Sequence, residues 1–109
     1  MNYNEIYSQV QQLSTQIDTS SLKNETLTGK LVITGEAGGE IYASLVNGVL
    51  SIDDHGPANC DFVVTTTTET LQKLMDGEMS VLSALMGGTL KTQGNLFKLI
   101  KIVKNVKMK

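Results

Sequence analysis

The stretch from Asp53-Asp54-His55 to Cys60-Asp61 gathers the chain's only histidine, its only cysteine and three carboxylates. Such residue types could ligate a metal ion or pair a thiolate with a base. Their spacing, however, matches no established ligand pattern, and the segment carries the single proline, Pro57, within a polar run over residues 53–59. A solvated loop is expected there, with Cys60 as a small apolar residue. Gly35-Glu36-Ala37-Gly38-Gly39 is rich enough in glycine to cradle a phosphate. It precedes a strand rather than a helix, and no Lys-Ser or Lys-Thr follows, so it reads as a turn. Asn24-Glu25-Thr26 has the pattern of a glycosylation acceptor, which has meaning only in a secreted chain. No catalytic residue, metal or cofactor is expected from these groups, and the chain does not read as an enzyme.

Positioning elements must be sought in a chain of 109 residues, the size of one domain spanning 1–109. With 40% hydrophobic and 18% charged residues, it can bury a core and is not expected to be disordered. The lone cysteine allows no internal disulfide, and residues 1–5 lack the basic run and apolar stretch of a signal peptide. No segment reaches the roughly 20 apolar residues of a membrane span. A soluble, cytoplasmic protein is expected. The pI of about 5.2 and the want of a basic face interleaved with aromatics argue against nucleic acid as a partner.

Ile6, Val10, Leu13 and Ile17 recur at helical steps and predict an amphipathic helix over residues 3–18. From Leu27 the period falls to two: Leu27, Gly29, Leu31 and Ile33 alternate with Thr28, Lys30, Val32 and Thr34. Strands are likewise predicted over residues 40–46 and 49–52, joined by Asn47-Gly48, whose residue types tolerate the positive φ of a tight hairpin turn. A fourth strand falls at residues 60–65 and a fifth at 89–93. Thr66-Thr67-Thr68-Glu69 reads as a capping box, with the Thr66 hydroxyl as N-cap of a helix that carries Leu71, Leu74 and Met75 and stops at Gly77. Ser80 caps a short helix ending at Gly87-Gly88, and Gly94-Asn95 leads into a last helix from Leu96 to about Val106. Strands in mostly hairpin order with helices bunched at both ends indicate an α+β fold with helices covering one sheet face.

The last helix is amphipathic. Leu96, Leu99, Ile100, Val103 and Val106 share a face, flanked by Phe97 and Ile102, while Lys98, Lys101 and Lys104 lie largely opposite. Docking on the sheet with solvated lysines is expected, and transient contact with an anionic membrane through those lysines is compatible with it. Met75, Met79 and Met86 lie close to Leu71, Leu74, Leu82 and Leu85, and flexible thioethers suit either core filling or an adaptable wall.

Leu74-Met75-Asp76-Gly77-Glu78-Met79, then Ala84-Leu85-Met86-Gly87-Gly88-Thr89-Leu90-Lys91, then Gly94-Asn95, resemble the C-terminal half of the sterol carrier protein type-two (nonspecific lipid-transfer) family. Residues 40–52, with Asn47-Gly48-Val49-Leu50, resemble its second and third strands, and Asp61-Phe62-Val63-Val64 its fourth. The resemblance spans about residues 25–104. It implies a five-stranded, mainly antiparallel sheet covered on one face by helices, with an internal hydrophobic tunnel for a fatty acid, acyl-CoA, phospholipid or sterol-like lipid. Carried onto this chain, the tunnel is expected to be lined by Leu31, Ile33, Ile41, Leu74, Met75, Met79, Leu82, Leu85, Met86, Phe97, Ile100 and Val103. The implied function is non-catalytic binding and intracellular transfer of such a ligand. The alternative is an accessory or scaffold domain that presents lipid, or a surface, to a partner enzyme. Val81 stands where the family often has proline, and Thr92 where a β-branched aliphatic residue is usual. The ending Lys107-Met108-Lys109 is not the Ser-Lys-Leu peroxisomal address, so a stand-alone prokaryotic member is expected.

Overall fold

In the computed structural model of the chain, residues 2–36, 38–105 and 107–108 are described, with side chains as far as Lys104. The elements in order are α1 (Tyr3–Thr15), β1 (Ile17–Asp18), a 3-10 turn (Ser20–Leu22), β2 (Thr26–Thr34), β3 (Gly39–Val46), β4 (Val49–Asp53), β5 (Phe62–Thr67), α2 (Thr68–Met75), α3 (Val81–Met86), β6 (Lys91–Gly94), α4 (Leu96–Asn105) and β7 (Lys107–Met108). Five strands form one sheet in the order β4-β3-β2-β5-β6. Neighbours are antiparallel except β2 and β5, which run parallel. This is the expected α+β architecture with a mixed sheet. Two-residue strands β1 and β7 pair separately, Ile17 opposite Met108.

The alternation along β2 decides which face the helices cover. Leu27, Gly29 and Leu31 stand opposite Leu45, Ala43 and Ile41 of β3, while Gly29, Leu31 and Ile33 stand opposite Phe62, Val64 and Thr66 of β5. One continuous apolar face results, because side chains two residues apart point the same way. The intervening residues form the other face, where Lys30 Nζ lies 2.8 Å from the Glu40 carboxylate and 5.6 Å from the centre of the Tyr42 ring. Two positions need glycine. Gly48 has φ +82° beside Asn47 at φ +50°, the tight hairpin turn predicted between β3 and β4. At Gly29, the Phe62 ring from the neighbouring strand lies where a Cβ would stand.

Helix α1 begins with a reciprocal cap: Asn2 Oδ1 accepts from Glu5 N at 2.9 Å, and Glu5 Oε1 accepts from Asn2 N at 3.3 Å. Ile6, wholly buried, seats it on Ile33, Ile41 and Leu71. The Tyr3 hydroxyl donates to the Glu40 carbonyl at 2.6 Å and the Tyr7 hydroxyl to the Ile52 carbonyl at 3.4 Å, pinning the helix to β3 and β4. The helix stops at Thr15, so Ile17 leaves the predicted stripe and enters β1. Helix α2 also departs from expectation by one residue. Strand pairing continues as far as Thr67, opposite Thr34, so Thr67 rather than Thr66 caps the helix, accepting from Thr70 N at 3.1 Å. Ser80 caps α3 as expected, and Gly77 and Gly88 take positive φ after α2 and α3. The expected helix end at Val106 lies outside the described residues.

Asp61, just ahead of β5, ties β2, β5 and α4 together. Its Oδ2 accepts from Thr28 N at 2.8 Å, its Oδ1 from Lys98 Nζ at 3.1 Å, and its carbonyl from Asn95 N at 2.7 Å. Asn95 Oδ1 in turn caps α4 through Lys98 N at 3.1 Å. The Thr28 amide, and then the Lys98 ammonium, hold the Asp61 carboxyl below the usual carboxylate range. A depressed folded-state pKa contributes stability that is fully present above the unfolded value and is lost as pH falls through the folded one. Asp61→Ala should therefore cost about 1–2 kcal/mol at neutral pH in urea unfolding, for lost charge-assisted bonds on a partly exposed group. The gap from the unsubstituted protein should hold from pH 8 to 6 and close below about pH 4. A gap independent of pH would rule out the carboxylate as its source.

Candidate functional site

The helices cover the apolar sheet face without filling its centre, and an apolar cavity of about 320 Å³ remains between the two layers. That falls at the lower end of the volumes of small-molecule sites, roughly 300–1,000 Å³. Its floor is made by Gly29, Leu31, Ile41, Ala43, Phe62 and Val64, the inward residues of β2, β3 and β5. Val10 and Leu13 of α1 and Leu74 and Met75 of α2 form one side; Val81 and Leu85 of α3 and Leu99 of α4 form another. On the far side of Phe62 and Ala43 lies a second apolar hollow of about 120 Å³, bounded by Leu22, Leu27, Leu45 and Ile102. Phe62, held over Gly29, stands between the two.

Five of the twelve residues expected around a tunnel border the main cavity: Leu31, Ile41, Leu74, Met75 and Leu85. Ile33 lies in the solid core under Ile6 and Leu71. In the six-residue helix α3, Val81 and Leu85 are one turn apart and face the cavity, which turns Leu82 partly aside and leaves Met86 75% exposed. Met79, in the link before α3, is half-buried away from the cavity. In α4 the stripe that packs inward is Leu99 with Ile102. Ile100 and Val103 are thereby left half-buried at its edge, and Phe97 is 87% exposed. Of the methionine cluster, only Met75 borders the cavity. Val10, Leu13, Phe62, Val64, Leu90 and Leu99 also border it; helical period had placed Val10, Leu13 and Leu99 on apolar stripes, and nothing in the sequence marked the others as lining.

Charged groups are kept from the cavity. Lys30 borders it, but its ammonium lies on the opposite sheet face with Glu40. Lys98 is engaged by Asp61 and Lys101 by Glu25, so two of the three lysines read as membrane-facing bind carboxylates of the chain itself. The Asp53-Asp54-His55 loop is exposed. His55 Nδ1 lies 2.8 Å from Asp54, whose carboxylate raises the imidazole pKa above its ordinary value, and the Cys60 thiol donates to the Pro57 carbonyl at 3.8 Å. Among the described residues, no three His, Cys, Asp or Glu side chains converge as metal ligands.

An apolar cavity enclosed between a sheet and its helices has the form of a small-molecule site. The model of the SCP-2 sterol transfer family matches residues 9–107, and the chain belongs to that family. Among solved structures, the stereoselective inverting sec-alkylsulfatase Pisa1 from Pseudomonas sp. is 25% identical, with TM-score 0.68 over 84% of this chain. This chain corresponds to only 14% of that enzyme's length. Palmitated SCP2L2 from Aedes aegypti is similar over 95% of this chain and 93% of its own, at 18% identity and TM-score 0.72. A ubiquinone synthesis protein, UbiJ-SCP2, is similar over 94% of this chain and 90% of its own, at 16% identity and TM-score 0.64. No curated protein matches the chain. Among the described residues, no helix is long and apolar enough to cross a membrane.

Val64 stands mid-floor between Leu31 and Thr92. In a close-packed core Val64→Phe would cost about 1–3 kcal/mol by overpacking. In the cavity the ring has room, so urea unfolding should show less than half that loss, while uptake of an apolar fluorophore falls at least tenfold. Full overpacking cost with unchanged dye uptake would contradict the cavity.

Proposed function

We propose that the chain, acting as one domain over residues 1–109, binds a hydrophobic ligand in this cavity and carries it between membranes or proteins without covalent chemistry. The observation that carries the reading is the nearly wholly apolar wall between sheet and helices, in a chain of the SCP-2 sterol transfer family. Leu31, Ile41, Phe62, Val64, Met75 and Leu85 are the proposed principal contacts. Each buried methylene would add about 0.8 kcal/mol of affinity, so a chain of roughly eight to ten carbons supplies about 6–8 kcal/mol, enough for binding near the micromolar range without any charged partner. With ligand present, the cavity becomes one end of the expected tunnel.

A second reading draws on the alkylsulfatase, in which the similar segment is a small part of a long chain. In that reading this chain works beside an enzyme and presents lipid to it.

Native mass spectrometry of freshly purified protein, followed by solvent extraction, tests the carrier. A co-purifying fatty acid, phospholipid or neutral lipid is the expected result. Protein that is empty and neither binds nor exchanges a fluorescent fatty acid would remove the proposal. Delivery also implies contact with a bilayer, for which exposed Phe97 and Lys104 on α4 are the proposed residues, since Lys98 and Lys101 are engaged within the chain. Flotation with anionic vesicles should drop severalfold in Phe97→Ser/Lys104→Gln protein; equal recovery would count against that face.

A further inference from the structure

Lys30 turns its ammonium away across the sheet, and among the described residues Thr66 is then the one member of the cavity wall whose chemistry does not fit the rest. It is only 4% exposed, it borders the cavity, and among the described residues its Oγ1 has no hydrogen-bond partner. Nor does helix capping use that hydroxyl, because Thr67 caps α2. Strand packing does not explain it either. Thr66 sits in β5 opposite Ile33, on the inward face with Val64 and Phe62, where valine has the same shape and β preference without a polar atom. A hydroxyl buried without a partner costs about 1–3 kcal/mol by the measure of protein substitutions. Its place in an otherwise apolar wall indicates that a partner arrives with the ligand.

We infer that Thr66 Oγ1 is the polar anchor of the cavity, and that the ligand carries one uncharged hydrogen-bonding oxygen, a hydroxyl or a carbonyl, on an otherwise hydrocarbon body. This rests on the carrier reading above. The oxygen must be uncharged because, among the described residues, no cation reaches the cavity: the one basic residue of the wall, Lys30, directs its ammonium to Glu40 and the Tyr42 ring on the other face of the sheet. A carboxylate seated at Thr66 would keep its full desolvation penalty against a single neutral hydroxyl. A hydroxyl or carbonyl needs one hydrogen bond, and Thr66, able to donate or accept, satisfies either. An ionised headgroup on the same ligand stays at the surface, with only the chain and its neutral oxygen inside.

Dissociation constants for decanol, decanone and decane, measured by displacement of an apolar fluorophore from the intact chain, test the assignment. Thr66→Val keeps volume and branching, and Thr66→Ser keeps the hydroxyl. Thr66→Val should weaken decanol and decanone roughly tenfold, since each ligand oxygen is left buried and unpaired, and should leave decane unchanged. Thr66→Ser should keep the two oxygenated ligands within about twofold of their unsubstituted affinities relative to decane. Equal losses for all three ligands would reduce Thr66 to a packing residue and overturn the anchor, as would no loss for any of them, and in both cases the carrier reading stands. Failure of all three to displace the fluorophore from the unsubstituted protein would instead overturn the carrier reading, and the anchor with it.

Discussion

A five-stranded sheet presents an apolar face broader than short helices can fill. Strands lie about 4.8 Å apart, so the face is roughly 20 Å across, about twice the diameter of a helix with its side chains. Here α2, α3 and α4 have only 8, 6 and 10 residues, and α1 has 13. Three helices are fixed at separate points: α1 through Ile6 and two tyrosine hydroxyls, α2 through Leu71, and α4 through Leu99 and the Asp61 ties. The solid core forms where Ile6, Ile33, Ile41 and Leu71 meet, and a smaller one where Leu22, Leu27 and Leu45 meet. Residues of all four helices wall the space between them without filling it.

Gly29 and Phe62 set the far limit of that space. The ring from β5 lies across the bare backbone of β2, so one large side chain separates the main cavity from the hollow over Leu27 and Leu45. Aromatic bulk over a glycine places a wall at mid-sheet without adding a polar atom. The arrangement needs the parallel register of β2 and β5, which brings together residues far apart in sequence.

Local periodicity and turn chemistry make most of this fold legible from the amino-acid order alone. The alternation of Leu27, Gly29, Leu31 and Ile33, the Asn47-Gly48 turn and the glycines that end α2 and α3 each act within a few residues, and each is found where local rules put it. Other features depend on distant partners and are not legible in that way. The β2–β5 pairing joins strands separated by two others, β1 exists only against β7, and Lys98 and Lys101 are drawn to Asp61 and Glu25, 37 and 76 residues away. The lining is legible only in part for a related reason. Leu85 and Met86 are equally apolar neighbours, and only the rotation of a six-residue helix turns one inward and the other out.

Four consecutive threonines, 65–68, offer equivalent caps, and local chemistry alone does not choose among them. The choice falls to the sheet. Pairing of β5 with β2 continues through Thr34 and Thr67, and while it continues Thr66 must keep strand geometry and point to the inner face. Capping therefore passes to Thr67, and Thr68 donates to the Thr34 carbonyl at 2.9 Å, outside the cavity. The shift of one residue turns a hydroxyl that would have served the backbone into the polar group of an apolar wall. A sheet register set by contacts some thirty residues away thus decides the chemistry of the cavity.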